Sequence, residues 1–177
     1  CRPGWPRTQK PACLYLLSAG IKGVCHHCPV LYFTTQARLA DLKLSQLVVK
    51  VLSCSDSRVV PEIIFDCGIG ELFVVRIAGI AVGPNVLESI EYAVKKLHVP
   101  LLILLGHDDC GVMAYANEHY PKMTENFQSI LKCVYPVIDH AGQFDCNNKF
   151  ARKHTVWVEN YLLDNSQIIK EKVDEGK

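Results

Sequence analysis

The stretch VLSCSDSRVVPE runs from Val51 to Glu62. Its first residues are apolar and β-prone. The residues that follow carry a thiol, a carboxylate and a guanidinium at alternate positions: Cys54, Asp56 and Arg58. Val48 to Ser53 reads as a short buried strand. Residues two apart on a strand point to one side. If that geometry persists past Ser53, the three side chains face the same way, at the carboxyl end of the strand, where open parallel sheets bind ligands.

Two similar runs lie downstream. ELFVVRI (Glu71–Ile77) follows a turn at Gly68 and Gly70, and LLILL is Leu101–Leu105. All three runs are apolar with little alternation, as expected of parallel strands covered on both faces. Between the second and third, Pro84 suits the first turn of a helix. Val86, Ile90, Ala93, Val94 and Leu97 then recur at helical spacing. Strand, helix, strand implies a right-handed crossover in a parallel sheet. After Cys110 the chain reads as helices, roughly over 111–119, 124–134, 149–163 and 166–173. The fold expected is α/β: a mostly parallel central sheet of about four strands flanked by helices.

The third strand runs into GHDDCG (Gly106–Gly111). His107 leaves the strand and Cys110 follows three residues later. If a helix starts here, that spacing aims both side chains at one point. A single cysteine at a strand end is usually only buried, an H-x-x-C alone is weak, and Asp and Arg two apart are most often a solvated pair. Together, at the ends of strands expected to be neighbours, they point to a metal. Two thiolates and an imidazole suit zinc, and three protein ligands (Cys54, His107, Cys110) leave a fourth position open, the count of a catalytic site. Asp56 either accepts a hydrogen bond from zinc-bound hydroxide or binds zinc itself and closes the site. Arg58 can hold it off the metal by a forked, charge-assisted pair.

CSDSR followed by GHDDCG resembles the signature of the β-class carbonic anhydrases, C-x-D-x-R and then H-x-x-C. The resemblance extends through VVPEIIFDCGIGELFVVRIAG (Val59–Gly79) and GPNVLESIEYAV (Gly83–Val94). It implies reversible hydration of carbon dioxide to bicarbonate and a proton, with Zn2+ held by Cys54, His107 and Cys110. It implies Asp56 and Arg58 as the catalytic pair, with Asp56 a metal ligand only in a closed state. Gly111 becomes the amide donor to bound bicarbonate. Phe73, Ala78 and Tyr92 become the lining of a narrow apolar pocket completed by a partner subunit, hence a homodimer or higher homo-oligomer. In this chain Ile80 stands where the family's RxAGN carries Asn, and Ser45 where many members carry a pocket Gln. Rival readings are a carbon disulfide or carbonyl sulfide hydrolase on the same site, a zinc-binding protein without turnover, and a thiol redox protein built on Cys25 and Cys28.

Size and charge set the frame. A chain of 177 residues with 49% hydrophobic and 21% charged residues is an ordinary globular composition. A net charge of +1 gives no strong attraction to nucleic acid or anionic membrane. No apolar run approaches the roughly 18 residues of a spanning helix. Nine cysteines, an odd number at irregular spacing, read as reduced thiols rather than a disulfide framework. Residues 1–40 carry Arg2, Arg7, Lys10, Lys22 and Arg38 and no acid before Asp41. That segment reads as an atypical targeting or disordered region ahead of a zinc domain over 41–177 that lacks the family's final edge strand. The compartment expected is the cytoplasm, with an organelle as the alternative. Cys67, Cys133 and Cys146 read as structural or incidental, and His98, His119, His140 and His154 as surface or helix-end residues.

Overall fold

The computed structural model describes residues 15–16, 30–33, 49–68, 70–123 and 125–175. The Cys25–Cys28 pair, Ser45 and most of the basic segment lie outside these residues. Three parallel strands form the centre. β3 (Val49–Ser53) pairs with β4 (Leu72–Arg76) on one side and with β5 (Leu102–Leu105) on the other. Two short strands extend the β5 edge: β2 (Val30–Phe33) runs antiparallel to β5, and β1 (Tyr15–Leu16) parallel to β2. The sheet order is β1-β2-β5-β3-β4. The mostly parallel sheet expected from the sequence is therefore present, with five described strands instead of about four. Among the described residues no strand follows β5.

Alternate residues of β3 and β5 serve two cores. Leu52, Leu102 and Leu104 face the larger one, built with the helices, while Val51, Ile103 and Leu105 face a smaller one with Val59. α1 (Pro61–Ile64) starts on a proline that needs no partner at that position. α2 (Pro84–Lys95) starts the same way and buries Ile90, Ala93 and Val94. Leu97 does not complete that stripe as expected. The helix stops at Lys95, and Leu97 is exposed just before His98, which has φ 51.

α3 (Gly111–His119) and α6 (Gln167–Asp174) match their expected spans to within a residue. Ser166 caps α6: its hydroxyl accepts from the Ile169 amide and donates to Glu91. α5 (Asn147–Asn165) is longer at both ends than expected. α4 (Gln128–Ala141) differs most. It begins after Phe127, whose φ of 62 is not helical, and continues through Pro136, where the sequence suggests a stop. Burial of Val137 and Ile138 in the main core outweighs the hydrogen bond that Pro136 removes. No described helix is long and apolar enough to cross a membrane.

Candidate metal centre

The chain leaves β3 for β4 on one side and returns to β5 on the other. The strand order thus switches between β3 and β5, where an open parallel sheet forms its crevice. Ser53 and Leu105 are partners at the carboxyl ends. One residue past Ser53 is Cys54, and two past Leu105 is His107. The ligand atoms of Cys54, His107 and Cys110 lie within 4.8 Å of one another, and all three residues are buried. His107 Nδ1 is 2.9 Å from the Asp108 carbonyl. That leaves Nε2, which is buried without a hydrogen-bond partner, as the atom that could bind a metal.

Helical spacing is not what brings His107 and Cys110 together. α3 starts at Gly111 with Cys110 as its cap, and the two side chains converge through a turn in which Asp109 has φ 55. Side chains from elsewhere hold that turn. The Asp109 amide donates to Asn148 Oδ1 at 2.8 Å, and Arg58 Nη2 donates to the Asp109 carbonyl at 2.8 Å. Arg152 lies 3.5 Å from the Asp108 carboxylate. Cys54 is fixed from another direction, for the Gly79 amide donates to its sulfur at 3.3 Å. Gly79 has φ 64, and a Cβ there would stand 2.7 Å from the Val112 side chain, so the position needs glycine. The next residue, Ile80, also has positive φ, at 49. An Asn would adopt that conformation more readily than a β-branched residue.

β3 geometry does not persist to Arg58. The strand ends at Ser53, and the Val59 amide closes a turn onto the Asp56 carbonyl. Arg58 sits in that turn and reaches back. Its Nε and Nη2 donate to the two oxygens of Asp56 at 2.9 and 2.7 Å, and its own amide donates to Oδ1 at 2.9 Å. Arg76, which no motif in the sequence singles out, donates to the carbonyls of Cys54 and Asp56 at 3.1 and 2.8 Å.

The electrostatics follow from this packing. The hydrogen bond with Cys110, with help from His107 and the Gly79 amide, favours Cys54 as a thiolate. The same bond, with burial, pushes the Cys110 thiol up. Burial is the largest influence on His107 and opposes its charge, but the Cys54 sulfur, the Asp108 carbonyl and the Asp56 carboxylate together outweigh it and raise the ring's pKa. The Arg58 side chain holds Asp56 well below the usual carboxylate range. Two sulfurs and an unpartnered imidazole nitrogen in mutual contact make a donor set that a divalent cation fits, because it allows both sulfurs to be anionic at once.

The other expected site residues are placed as follows. Gly111 is exposed at the first position of α3, Phe73 is half-buried on β4, and Ala78 opens the turn that contains Gly79. Tyr92 is 55% exposed on α2, so it is not a core residue. None of these four lines the small cavity beside Cys54, His107 and Cys110. His154 does, and its expected place at the surface or a helix end is wrong. It lies in the middle of α5 and is 1% exposed. The signal was its register, because Phe150, Ala151, Thr155, Val158 and Leu162 form the buried stripe to which position 154 belongs. The five cysteines within the described residues (Cys54, Cys67, Cys110, Cys133 and Cys146) are all free thiols.

A family model described as "Carbonic anhydrase" matches residues 49–177. Carbonic anhydrase 2 of Mycobacterium tuberculosis is 57% identical over 63 residues, 36% of this chain and 30% of that protein. A carbonic anhydrase of Helicobacter pylori is 41% identical over 117 residues, 58% of this chain and 52% of that protein. Among solved structures, one of two tetrameric β-carbonic anhydrases from Sordaria macrospora superposes with a TM-score of 0.61 at 27% identity. That match covers 75% of this chain and 74% of the other. The match to the Mycobacterium relative thus spans under a third of that protein's length.

Proposed function

This chain belongs to the β-carbonic anhydrase family, and from that premise we propose that it catalyses the reversible hydration of carbon dioxide to bicarbonate and a proton. The observation that carries the reading is the convergence of Cys54, His107 and Cys110 at the switch point of the sheet, beside an Asp56 already tied by Arg58. Zinc held by these three residues would supply Lewis acidity, making a hydroxide nucleophile available near neutral pH.

The chain's own groups complete the chemistry. Asp56 stays ionised at any working pH because three donors of Arg58 hold it, so it offers an acceptor that orients the proton of the attacking oxygen. Arg58 keeps that carboxylate off the ligand cluster, and release from Arg58 would let Asp56 enter as a fourth ligand and close the site. The first amides of a helix lack intrahelical partners. Those of Val112 and Met113 interact with Cys110. The Gly111 amide is left to steady an anionic product at a helix N-terminus. Phe73, Ala78 and Tyr92 provide apolar walls for carbon dioxide. The exposure of Tyr92 in a single chain supports a pocket that a second subunit covers, in a homodimer or higher homo-oligomer. Free thiols at five positions support a reducing compartment such as the cytoplasm.

The test is stopped-flow hydration of carbon dioxide on the purified protein, with zinc content measured on the same sample. The expected result is about one zinc per chain and hydration that rises across roughly pH 6.5–9, a range bracketing a water pKa of about 7 or above. Stoichiometric zinc without hydration anywhere in that range would mark a zinc-binding protein without turnover.

A further inference from the structure

The β3–β4 ladder runs a little past its two strands and then stops. The Ile77 amide donates to the Ser53 carbonyl at 3.0 Å, and the Ser55 amide to the Ile77 carbonyl at 3.3 Å. Beyond Ser55 the chain turns away, with the Val59 amide on the Asp56 carbonyl at 3.0 Å. Arg76, the last residue of β4 and the partner of Ser53, takes over at that point. Its Nε donates to the Cys54 carbonyl at 3.1 Å and its Nη2 to the Asp56 carbonyl at 2.8 Å. A planar guanidinium holds its donors at a fixed separation, so one side chain spans two carbonyls that stand two residues apart. The Ser53 hydroxyl also donates to the Cys54 carbonyl, at 3.3 Å, but does not reach Asp56. Among the described residues no carboxylate pairs with Arg76, so its charge is directed at these two carbonyls.

The turn that Arg76 grips has little else to fix it to the sheet. Ser55, Ser57 and Arg58 are exposed, so burial contributes little there and the turn depends on its bonds. Arg58 orients the Asp56 carboxylate, but Arg58 belongs to the same turn and moves with it. Its further bond, to the Asp109 carbonyl, leads to another loop and not to the sheet. Cys54 is better secured, because the Gly79 amide holds its sulfur independently of Arg76. Loss of Arg76 would therefore leave the sulfur in place and slacken the backbone that carries the Asp56 carboxylate.

We propose that Arg76 is a positioning residue for the hydration reaction. Its guanidinium stands in for the next rung of the β3–β4 ladder and sets where the Asp56 carboxylate lies relative to Cys54. The inference rests on reading Asp56 as the acceptor that orients the attacking oxygen. Arg76 acts only through the backbone of Asp56, so its effect belongs on the rate per bound metal and not on metal content. Misplacing a reacting group by about 1 Å costs on the order of 100-fold in rate, and a slackened turn that still samples the correct geometry should cost about 10-fold.

The experiment compares zinc-loaded wild type, Arg76→Leu, Asp56→Ala and the variant carrying both changes, well below their melting temperatures. It reads zinc per chain, kcat/KM for hydration per bound zinc, and hydrogen exchange of the Arg58 and Val59 amides, both of which bond Asp56. The expected result for Arg76→Leu is zinc near wild type, kcat/KM about 10-fold lower and faster exchange at both amides. Added to Asp56→Ala, the same change should cost nothing further, because the group it positions is already gone. A merely structural arginine would lower stability and leave kcat/KM per zinc within about two-fold of wild type, which overturns the proposal. Unchanged exchange, zinc lost in step with rate, or an equal further fall in the Asp56→Ala background also overturns it. Should Arg76→Leu not fold, Arg76→Gln decides by the same readings, since its one amide nitrogen cannot span both carbonyls. A wild type without hydration overturns the functional reading and this inference with it. An active wild type with an indifferent Arg76 variant overturns this inference alone.

Discussion

The two ends of β3 bury polar side chains in opposite ways. Near its start, Lys50 is 1% exposed, and its ammonium donates to the Ile90 carbonyl of α2 at 2.6 Å. No acidic side chain pairs with it among the described residues. Burial alone depresses its pKa to about 7. Just past the other end, Cys54 is buried with His107 and Cys110, and their ligand atoms converge within 4.8 Å. Both ends cost desolvation. At the Lys50 end a single donor meets a carbonyl, and nothing that binds could recover the cost. At the Cys54 end, donors from separate segments face one another, and a single cation would satisfy them together. Convergence, more than burial, separates a site from a structural liability.

Cys54→Ser tests that contrast most severely. It removes one of the two sulfurs proposed to hold zinc, and zinc content should fall below about a tenth of wild type, with hydration falling in step. Metal analysis beside stopped-flow assay checks this, and full zinc with full hydration would break the contrast outright. Asp56→Ala comes next. It leaves all three ligands in place, so zinc should stay near wild type while kcat/KM falls by about 100-fold. Equal loss of zinc and rate would mean that Asp56 serves the fold of the loop and not the reaction.

The sequence reveals one end of this comparison better than the other. Val49–Ser53, Leu72–Arg76 and Leu102–Leu105 are legible because aliphatic and β-branched runs bounded by Gly and polar turns leave little alternative. The cluster of Cys54, His107 and Cys110 is legible because thiols and an imidazole fall just beyond two such runs. The groups that hold them are not. Arg76 and Asn148 act on backbone carbonyls and amides of distant residues, and no spacing in the chain encodes that. Lys50 gives no warning either, since an isolated lysine in an apolar run reads as an edge or an error of register until its neighbours are known. The antiparallel pairing of Val30–Phe33 with β5 is hidden because it joins residues some seventy positions apart, from within a basic, proline-marked segment. The true span of α4 is masked by Pro136, whose helix-breaking tendency is overruled by burial that only the tertiary fold supplies.

Lys50→Met probes the other end. Lys50 binds fewer protons folded than unfolded between its folded pKa of about 7 and its ordinary value of 10.5. Stability therefore rises with pH across that window and is flat below it. Methionine removes the buried charge, so at pH 7 the variant should be more stable, on the order of 2 kcal/mol, with little slope between pH 7 and 10. Urea titrations at pH 7 and pH 9 read both. Wild type and variant with parallel pH profiles would show that Lys50 carries no penalty and that the two ends of β3 are alike.

The smallest effect separates holding a ligand from being one. Asn148 accepts the Asp109 amide at 2.8 Å, and the carbonyl of the same residue accepts from Arg58. Asp109 is exposed and has positive φ, so this turn gains no stability from burial and depends on its bonds. Asn148→Ala removes one neutral hydrogen bond where water can replace it, and the folded state should lose no more than about 1 kcal/mol. The loss should be larger in metal-free protein than in zinc-loaded protein, because zinc would itself tie His107 to Cys110 and make the outside clamp redundant. Paired thermal unfolding of the two forms measures the difference. Equal destabilisation with and without zinc would mean that the clamp and the metal act on different parts of the turn.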